Sequence, residues 1–453
     1  MQYIVNLQSH QKHFGMKKSL LLIAATTVLF SGCENGNNES HYKMPTKPYE
    51  MVNLQKNTSI VLWNAEDFDF EAGNAYYTQY YEGSEGSTAL KPGAGAACSS
   101  WRNGRYHGRN LDWYQSNFGC LIIQMPKGGK VKHASVALLS GCPDVTQDFI
   151  SRGHIDKDKD MFLPCAVVDG INDAGVAVNI NIVVHTPGTK YIAGGDISSM
   201  CVVRYVLDNA GSVDEAISLL SRKTISQSIV GMADDETHYM ISDKSSTAAV
   251  EFKEGEMVVT YFHQGKDGCV SVKGTPAIMT NFYNFAVEEW GIGTDEFYDH
   301  NILALGVERW EKIKDQYPDA ANSVEDNFNI AQSVWCCKGM LKDKEPWYTE
   351  MVDQRGYGKD EEGWYYKKNG VRITCDGWYS AQKGFWDYFM GDYWKYYEDN
   401  FGNRPDPHIE GNNYWETSHS VIYDLDSKIG YLYPFENFYS DSGKPIVINL
   451  PQP

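Results

Sequence analysis

The chain is short of positive charge, of proline and of long apolar runs. Its 453 residues carry 40 Lys and Arg against 59 Asp and Glu, a formal charge of −19. Nucleic acids and anionic membrane surfaces would repel such a chain, so neither is expected as a partner. No apolar run reaches the roughly 18 residues that cross a bilayer as a helix, which excludes a multi-span helical membrane protein. There are only 16 prolines, while 42% of the residues are hydrophobic and 13% aromatic. Disorder over most of the length is therefore excluded, because there is ample material for a core. No CxxC pair and no HExxH occurs, so no zinc site is expected. No fixed-period repeat is present, which argues against a solenoid. The length allows one large domain or a few smaller ones.

What is present begins with an export signal. Lys17-Lys18 precede an apolar stretch from Ser19 to Ser31 that is too short to span a bilayer, and Gly32-Cys33 follow. The ending Phe30-Ser31-Gly32-Cys33 resembles a lipoprotein signal, in which Cys33 is lipidated and becomes the first residue. The polar run Glu34 to Ser40 then serves as a tether. Positive residues belong near a signal's start, so Met16 is the expected initiator and residues 1–15 an over-extended start. Export makes disulfides accessible to the ten cysteines, at 33, 98, 120, 142, 165, 201, 269, 336, 337 and 375. The simplest reading of most of them is a small buried apolar residue.

Beyond a polar linker at 34–57, strand patterns recur at 58–63, 121–125, 134–139, 166–168, 176–184, 238–242, 248–252, 420–425 and 429–433. Tyr76 to Gly95 lacks periodicity and reads as a loop. Helical spacing appears at Ser199 to Asn209 and at Asp299 to Asp315. Another helix begins at Ser212, with Glu215 at the capping-box position. Strand clusters around a helical middle imply stacked sheets with helices outside. Residues 343–416 differ in texture, with Trp347, Trp364, Tyr366, Trp378, Trp386 and Trp394 among Asp, Glu and Gly. They read as an insertion whose aromatics pack a subdomain or line a lid over an apolar or sugar ligand.

The most informative segment runs from Cys98 to Trp113. It reads as strand, tight Asn-Gly turn, strand, which brings Arg109 and Asp112 back toward Cys98. A guanidinium beside a thiol favours the thiolate, as a sulfur nucleophile needs. Gly93-Ala94-Gly95-Ala96-Ala97 before it is small and flexible, a candidate cleavage site. Cutting there would free an α-amine on Cys98 with a pKa of about 7.7–8.0, able to act as base for its own side chain. The rival reading of the same spacing is a structural hairpin with one buried cysteine.

Cys98-Ser99-Ser100 followed by His107-Gly108-Arg109-Asn110-Leu111-Asp112-Trp113 resembles the choloylglycine hydrolase group of N-terminal-nucleophile amidases, which includes acid-ceramidase-like and N-acylethanolamine-hydrolysing enzymes. The resemblance continues in order through Asp169-Gly170-Ile171-Asn172, Arg204 to Asn209, Val213 to Ala216, His238 to Asp243, Val250-Glu251, Thr280-Asn281-Phe282, Glu308-Arg309-Trp310 and His419 to Asp424. It implies an α+β fold, the four-layer αββα sandwich. Carried over by position, it implies Cys98 as nucleophile and, through its amine, as base. Arg109 and Asp112 would orient thiol and amine, Asn281 would donate to the oxyanion, and Arg309 would steady the site. A second asparagine is due on the strand after Asp169-Gly170. Asn179 and Asn181 share a face there, and Asn181 is preferred. His107 reads as structural, because the family already supplies a base. The first hairpin is trimmed relative to the family pattern, and the 343–416 insertion has no counterpart in it.

The sequence thus divides into a signal at 1–33, tether and propeptide at 34–97, and an amidase part at 98–453. The expectation is an exported, lipid-anchored hydrolase of linear amide C–N bonds, touching membrane only through its lipid and needing no metal or organic cofactor. Its partner would be a small N-acyl amide: a conjugated bile acid, a fatty-acid amide, an acylated amino acid or a β-lactam side chain. A homo-oligomer is compatible with this. The alternatives are an acyltransferase of the same fold and an inactive surface lipoprotein that binds ligand through 343–416.

Overall fold

The computed structural model describes residues 40–42, 49–55, 58–82, 98–113, 120–140, 156, 160, 162–183, 195–226, 236–253, 255–265, 268–294, 296–297, 301, 306–317, 323–334, 357–360, 362–368, 371–376, 380–381, 384, 416–434 and 445–451. The expected signal, the lipidation residue Cys33, the linkage at Ala97 and Cys142, Cys336 and Cys337 lie outside them.

Two large sheets dominate. Strands β1 (Ser40–Tyr42), β4 (Ser99–Asn103), β5 (Tyr106–Trp113), β16 (Ile278–Met279), β20 (Glu416–Asp424), β21 (Ile429–Pro434) and β22 (Ile446–Asn449) form a seven-stranded sheet in the order β1-β22-β21-β20-β5-β4-β16. The ten-stranded sheet is built from β2 (Tyr49–Gln55), β3 (Thr58–Asn64), β6 (Cys120–Met125), β7 (Ser135–Ser140), β8 (Asp169–Asn172), β9 (Ala177–Val183), β12 (Glu236–Ser242), β13 (Ser246–Lys253), β14 (Glu256–Gly265) and β15 (Gly268–Val270). Its order is β15-β14-β13-β12-β9-β8-β7-β6-β3-β2. Two short strands, β10 (Ile197–Ser198) and β11 (Ile225–Ser226), pair in parallel, and β17 (Tyr357–Asp360), β18 (Gly363–Lys368) and β19 (Val371–Thr374) form a separate small sheet. The described helices used below are α1 (Phe70–Glu82), α2 (Val202–Asn209), α3 (Val213–Leu220), α4 (Asn284–Trp290), α5 (Val307–Gln316) and α6 (Val324–Ser333). None is long and apolar enough to cross a membrane.

The period-2 pattern of the strands sets the layers. On β9, Asn179 and Asn181 point at the seven-stranded sheet, where they meet His107 and Ser100. Its other face packs on α2. On β4 and β5, Ser100, His107 and Arg109 face the ten-stranded sheet, while the Trp101 indole and the Asn110 amide donate to Asn327 and the Ala331 carbonyl on α6. Gly108 is required there, because a methyl group would overlap the Trp101 ring lying across it. Helices α2 and α3 therefore cover one sheet and α5 and α6 the other, giving the expected α+β, helix–sheet–sheet–helix sandwich. The helix-facing sides are filled by fully buried side chains such as Trp101, Ile123, Val178 and Ile278, and residues such as Ile122, Val136, Ile171 and Val421 pack between the sheets. Each such aliphatic residue contributes about 1.5–3 kcal/mol.

Local signals explain several motifs. Asn172 accepts the main-chain N–H groups of Ala174 and Val176 and donates to the Leu207 and Ala210 carbonyls, closing the β8–β9 turn and tying it to α2. Ser212 caps α3 by accepting from the Glu215 N–H, and the Glu215 carboxylate reaches back to the Gly211 N–H. Cys120, Cys165, Cys201 and Cys269 are buried free thiols.

Four expectations need correction. Tyr76 to Glu82, read as loop, belongs to α1; Tyr and polar residues hid its periodicity. What holds α1 is tertiary: Asn74 bonds the Asp196 carbonyl and the Ser198 N–H, and Tyr77 is buried. The 34–57 linker contains β1 and β2, because β22 and β3 offer edges that pair them. Ala166–Val168 follows a 3-10 turn at Leu163–Cys165 and precedes the strand, which starts at Asp169. The helix expected from Asp299 begins at Val307. Within the aromatic insertion, Trp364 and Tyr366 on β18 pack against the main core. Trp347, Trp378, Trp386 and Trp394 lie outside the described residues.

Candidate active site

Cys98 stands immediately before β4, with only 2% of its surface exposed. The β4–β5 register pairs Ser99 with Asn110 and Ser100 with Arg109, so the hairpin returns Arg109 and Asp112 to the cysteine. The turn itself is Gly104-Arg105, one residue later than the Asn-Gly reading, with Asn103 paired to Tyr106 and Gly104 at φ 55°. Arg109 Nη2 lies 3.8 Å from Cys98 Sγ, and the thiol points at the Asp112 carbonyl oxygen, also 3.8 Å away. Asp112 thus touches the sulfur through its main chain, while its carboxylate accepts from the Thr417 hydroxyl at 2.5 Å. Burial pushes the Cys98 thiol up. Arg109, the Asp112 carbonyl and Arg309 pull it down, the Asp112 charge opposes them, and the net direction is upward. The guanidinium acts as the sequence implied, but desolvation outweighs it. A thiol so placed would need a base to take its proton before it could attack a carbonyl.

Arg109 is locked in place. Its Nη1 donates to the Val168 and Ile180 carbonyls at 2.8 Å each, and its Nε lies 3.3 Å from Asp169 Oδ2. Asp169 also accepts from His419 Nε2 at 2.8 Å and from the Tyr423 hydroxyl at 2.5 Å. Burial would raise the Asp169 carboxyl, yet His419, Arg109 and Tyr423 together hold it below the usual carboxylate range. Sequence reasoning used Asp169 only as part of a strand-start motif and gave no role to Thr417. The available signal was the general need of a buried Arg for a buried carboxylate. Which carboxylate required the topology, since Thr417 lies 305 positions from Asp112.

Arg309, on α5, bridges the two halves of the site. Its Nη1 donates to the Cys98 carbonyl at 2.5 Å and its Nη2 to Asn281 Oδ1 at 2.7 Å. A guanidinium can only donate, so Oδ1 is fixed as the acceptor and Nδ2 as the donor end of Asn281. One Nδ2 hydrogen goes to the Ile182 carbonyl at 2.7 Å. Gly306, at φ 91°, starts α5, and a Cβ there would lie 2.6 Å from Arg309 Nη2. Glycine thus leaves room for the guanidinium to fold back. Cys98, Arg109, Asp112, Asn281 and Arg309 meet directly. Asn181 joins them one contact further out, donating to the Thr280 carbonyl at 3.3 Å and accepting from Ser100 at 3.3 Å. Asn179 lies behind it, with its carbonyl committed to His107 and its amide to Ser100 and Asn181.

His107 is structural, as read. It is buried between Ser242 and Asn179, each 2.8 Å from a ring nitrogen. Asn179 uses its amide elsewhere, so His107 Nε2 donates to its carbonyl and Nδ1 accepts from Ser242. Burial is the main cause that holds the imidazole at about 3, below its ordinary 6.5. A depressed value favours the neutral form in the fold. The stability His107 contributes is therefore fully present above about pH 6.5 and is lost as pH falls toward 3, at about 1.4 kcal/mol per pH unit. A His107→Gln protein should show a shallower fall in Tm between about pH 6 and 4 than the parent. Parallel Tm curves would remove this assignment.

Residues 98–285 match the family of linear amide C-N hydrolases, choloylglycine hydrolase family. No curated protein matches the chain. Among solved structures, penicillin V acylase from Agrobacterium tumefaciens is similar at 14% identity, with 77% of each chain covered and a TM-score of 0.32. A mutant conjugated bile acid hydrolase from Clostridium perfringens is similar at 15% identity, over 78% of this chain and 92% of that one, with a TM-score of 0.34. The matched stretch, residues 98–285, holds Cys98, Arg109, Asp112, Asn181 and Asn281, and it carries the signature of the linear amide C–N hydrolases of the choloylglycine hydrolase family, an enzyme class.

Proposed function

We propose that the chain is an exported N-terminal-nucleophile amidase in which Cys98, freed by cleavage after Ala97, attacks the carbonyl of a small N-acyl amide. The observation that supports this reading best is the Arg309 bridge between the Cys98 carbonyl and Asn281, with Arg109 on the sulfur. The upward push on the thiol is a second support, because it creates the need for a base close by.

The α-amine of Cys98 takes the thiol proton as sulfur bonds to the carbonyl carbon. Negative charge moves to the carbonyl oxygen, where the second Nδ2 hydrogen of Asn281 receives it; Asn181 is the further donor. The C–N bond breaks, and the leaving amine takes the proton back from the α-ammonium. Water then loses a proton to the α-amine and attacks the thioester, and the departing sulfur recovers that proton. Bile-acid conjugates and fatty-acid amides are the preferred substrate classes. Cys33 would carry the lipid that holds the enzyme at the cell envelope.

The test combines intact mass and Edman sequencing of the purified protein with amine release from glycocholate, N-palmitoylethanolamine, N-decanoylglycine and penicillin V. A fragment beginning Cys-Ser-Ser-Trp and turnover of at least one amide are expected. A fully active, uncut chain would show the base assignment to be wrong. Hydroxamate formed at the expense of acid on adding hydroxylamine would mark an acyltransferase.

A further inference from the structure

We infer that His238 and Glu251 are positioning residues that fix the turn carrying Asn281. They occupy adjacent strands β12 and β13, on one face, with side chains fully buried. His238 Nδ1 is 3.1 Å from Glu251 Oε1, and His238 Nε2 is 2.9 Å from the Thr280 carbonyl oxygen. Neither is adjacent in sequence to the residues that meet at Cys98.

The hydrogen-bond inventory sets the donor at Thr280. A carbonyl only accepts, so Nε2 carries a hydrogen. Glu251 accepts the Asn284 N–H at 2.7 Å on Oε1 and the Phe285 N–H at 2.8 Å on Oε2. Its Oε1 also meets His238 Nδ1, so both ring nitrogens and both carboxyl oxygens are engaged. A buried polar pair is tolerated only when its donors and acceptors are met, and here each has a partner.

The consequence is a bracket. Through Thr280 on one side and Asn284 and Phe285 on the other, the pair grips the main chain just before and just after Asn281. Arg309 orients the Asn281 side chain, while His238 and Glu251 place its backbone. The inference rests on Asn281 as oxyanion donor, and such a donor works only when held where charge develops.

His238→Gln, Glu251→Gln and Asn281→Ala are compared in the full chain on whichever of the four amides above the parent cleaves fastest. Alkylation of Cys98 by iodoacetamide is followed in parallel. Both bracket variants should lose kcat by about 10- to 100-fold, with KM within about twofold and alkylation unchanged. Parental kcat in a folded bracket variant overturns the inference, and so does alkylation falling together with kcat. Parental kcat in Asn281→Ala would instead bring down the oxyanion reading, and this inference with it. An arm that needs no variant is the nitrogen-15 spectrum of the histidine-labelled parent. In protein that also carries carbon-13, one slowly exchanging imidazole N–H coupled across its hydrogen bond to the Thr280 carbonyl is expected; its absence overturns the inference.

Discussion

Cys98→Ala should abolish amide hydrolysis, lowering kcat/KM by at least about 10⁴-fold, and should leave the 97–98 bond uncut. The sulfur is the only group at the end of β4 that both Arg109 and the Asp112 carbonyl address among the described residues. On the proposed mechanism, removing it takes away the atom that would bond to the acyl carbon, so neither binding nor the remaining charges could compensate. The side chain is small and buried, and its neighbours are held by independent ties. The fold should survive, with Tm within a few degrees of the parent. Turnover in a folded Cys98→Ala protein, measured as amine release, would move the chemistry to another residue. An intact mass showing cleavage in that variant would mean that a foreign protease does the processing.

The second large effect belongs to Asn281. Asn281→Ala should reduce kcat by about 10²–10³-fold with little change in KM, the signature of an interaction made in the transition state alone. The variant also leaves Arg309 Nη2 without its 2.7 Å acceptor in a buried site. A stability loss of about 1–3 kcal/mol should accompany it. Steady-state kinetics with thermal unfolding separate the two effects, because the kinetic loss persists well below Tm. A rise in KM at unchanged kcat would assign Asn281 to substrate binding.

How much of this was legible in the sequence follows from the range of each interaction. The hairpin from Cys98 to Asp112 is local, and turn chemistry with strand alternation found it to within one residue. Ser212 and Glu215 announced a helix start by the same local logic. Asn179 and Asn181 could be placed on one face, with Asn181 preferred, but the reason for their difference arises across the gap between sheets, where His107 claims one and Thr280 the other. Asp169, Thr417, His238 and Glu251 gained no role from spacing. Each acts on a group far away in the chain, and a buried polar residue shows its partner only once the sheets are stacked. Helix α1 was missed for a related reason: Asn74 and Tyr77 stabilise it through tertiary contacts that leave no apolar stripe.

The place of β3 bears on what the proposed cleavage would do to the protein. Residues Ile60 to Asn64 lie in parallel register with Cys120 to Gln124, so a stretch that precedes Cys98 is woven into the sheet that follows it. Severing the chain before Cys98 would then turn one polypeptide into two without dividing the particle. The fragment upstream would keep whatever acyl anchor it bears fastened to the catalytic body. The nicked enzyme would also acquire a memory of its maturation. Once melted, it could regain its shape only by a bimolecular encounter, so recovery would depend on dilution where that of the unprocessed precursor would not.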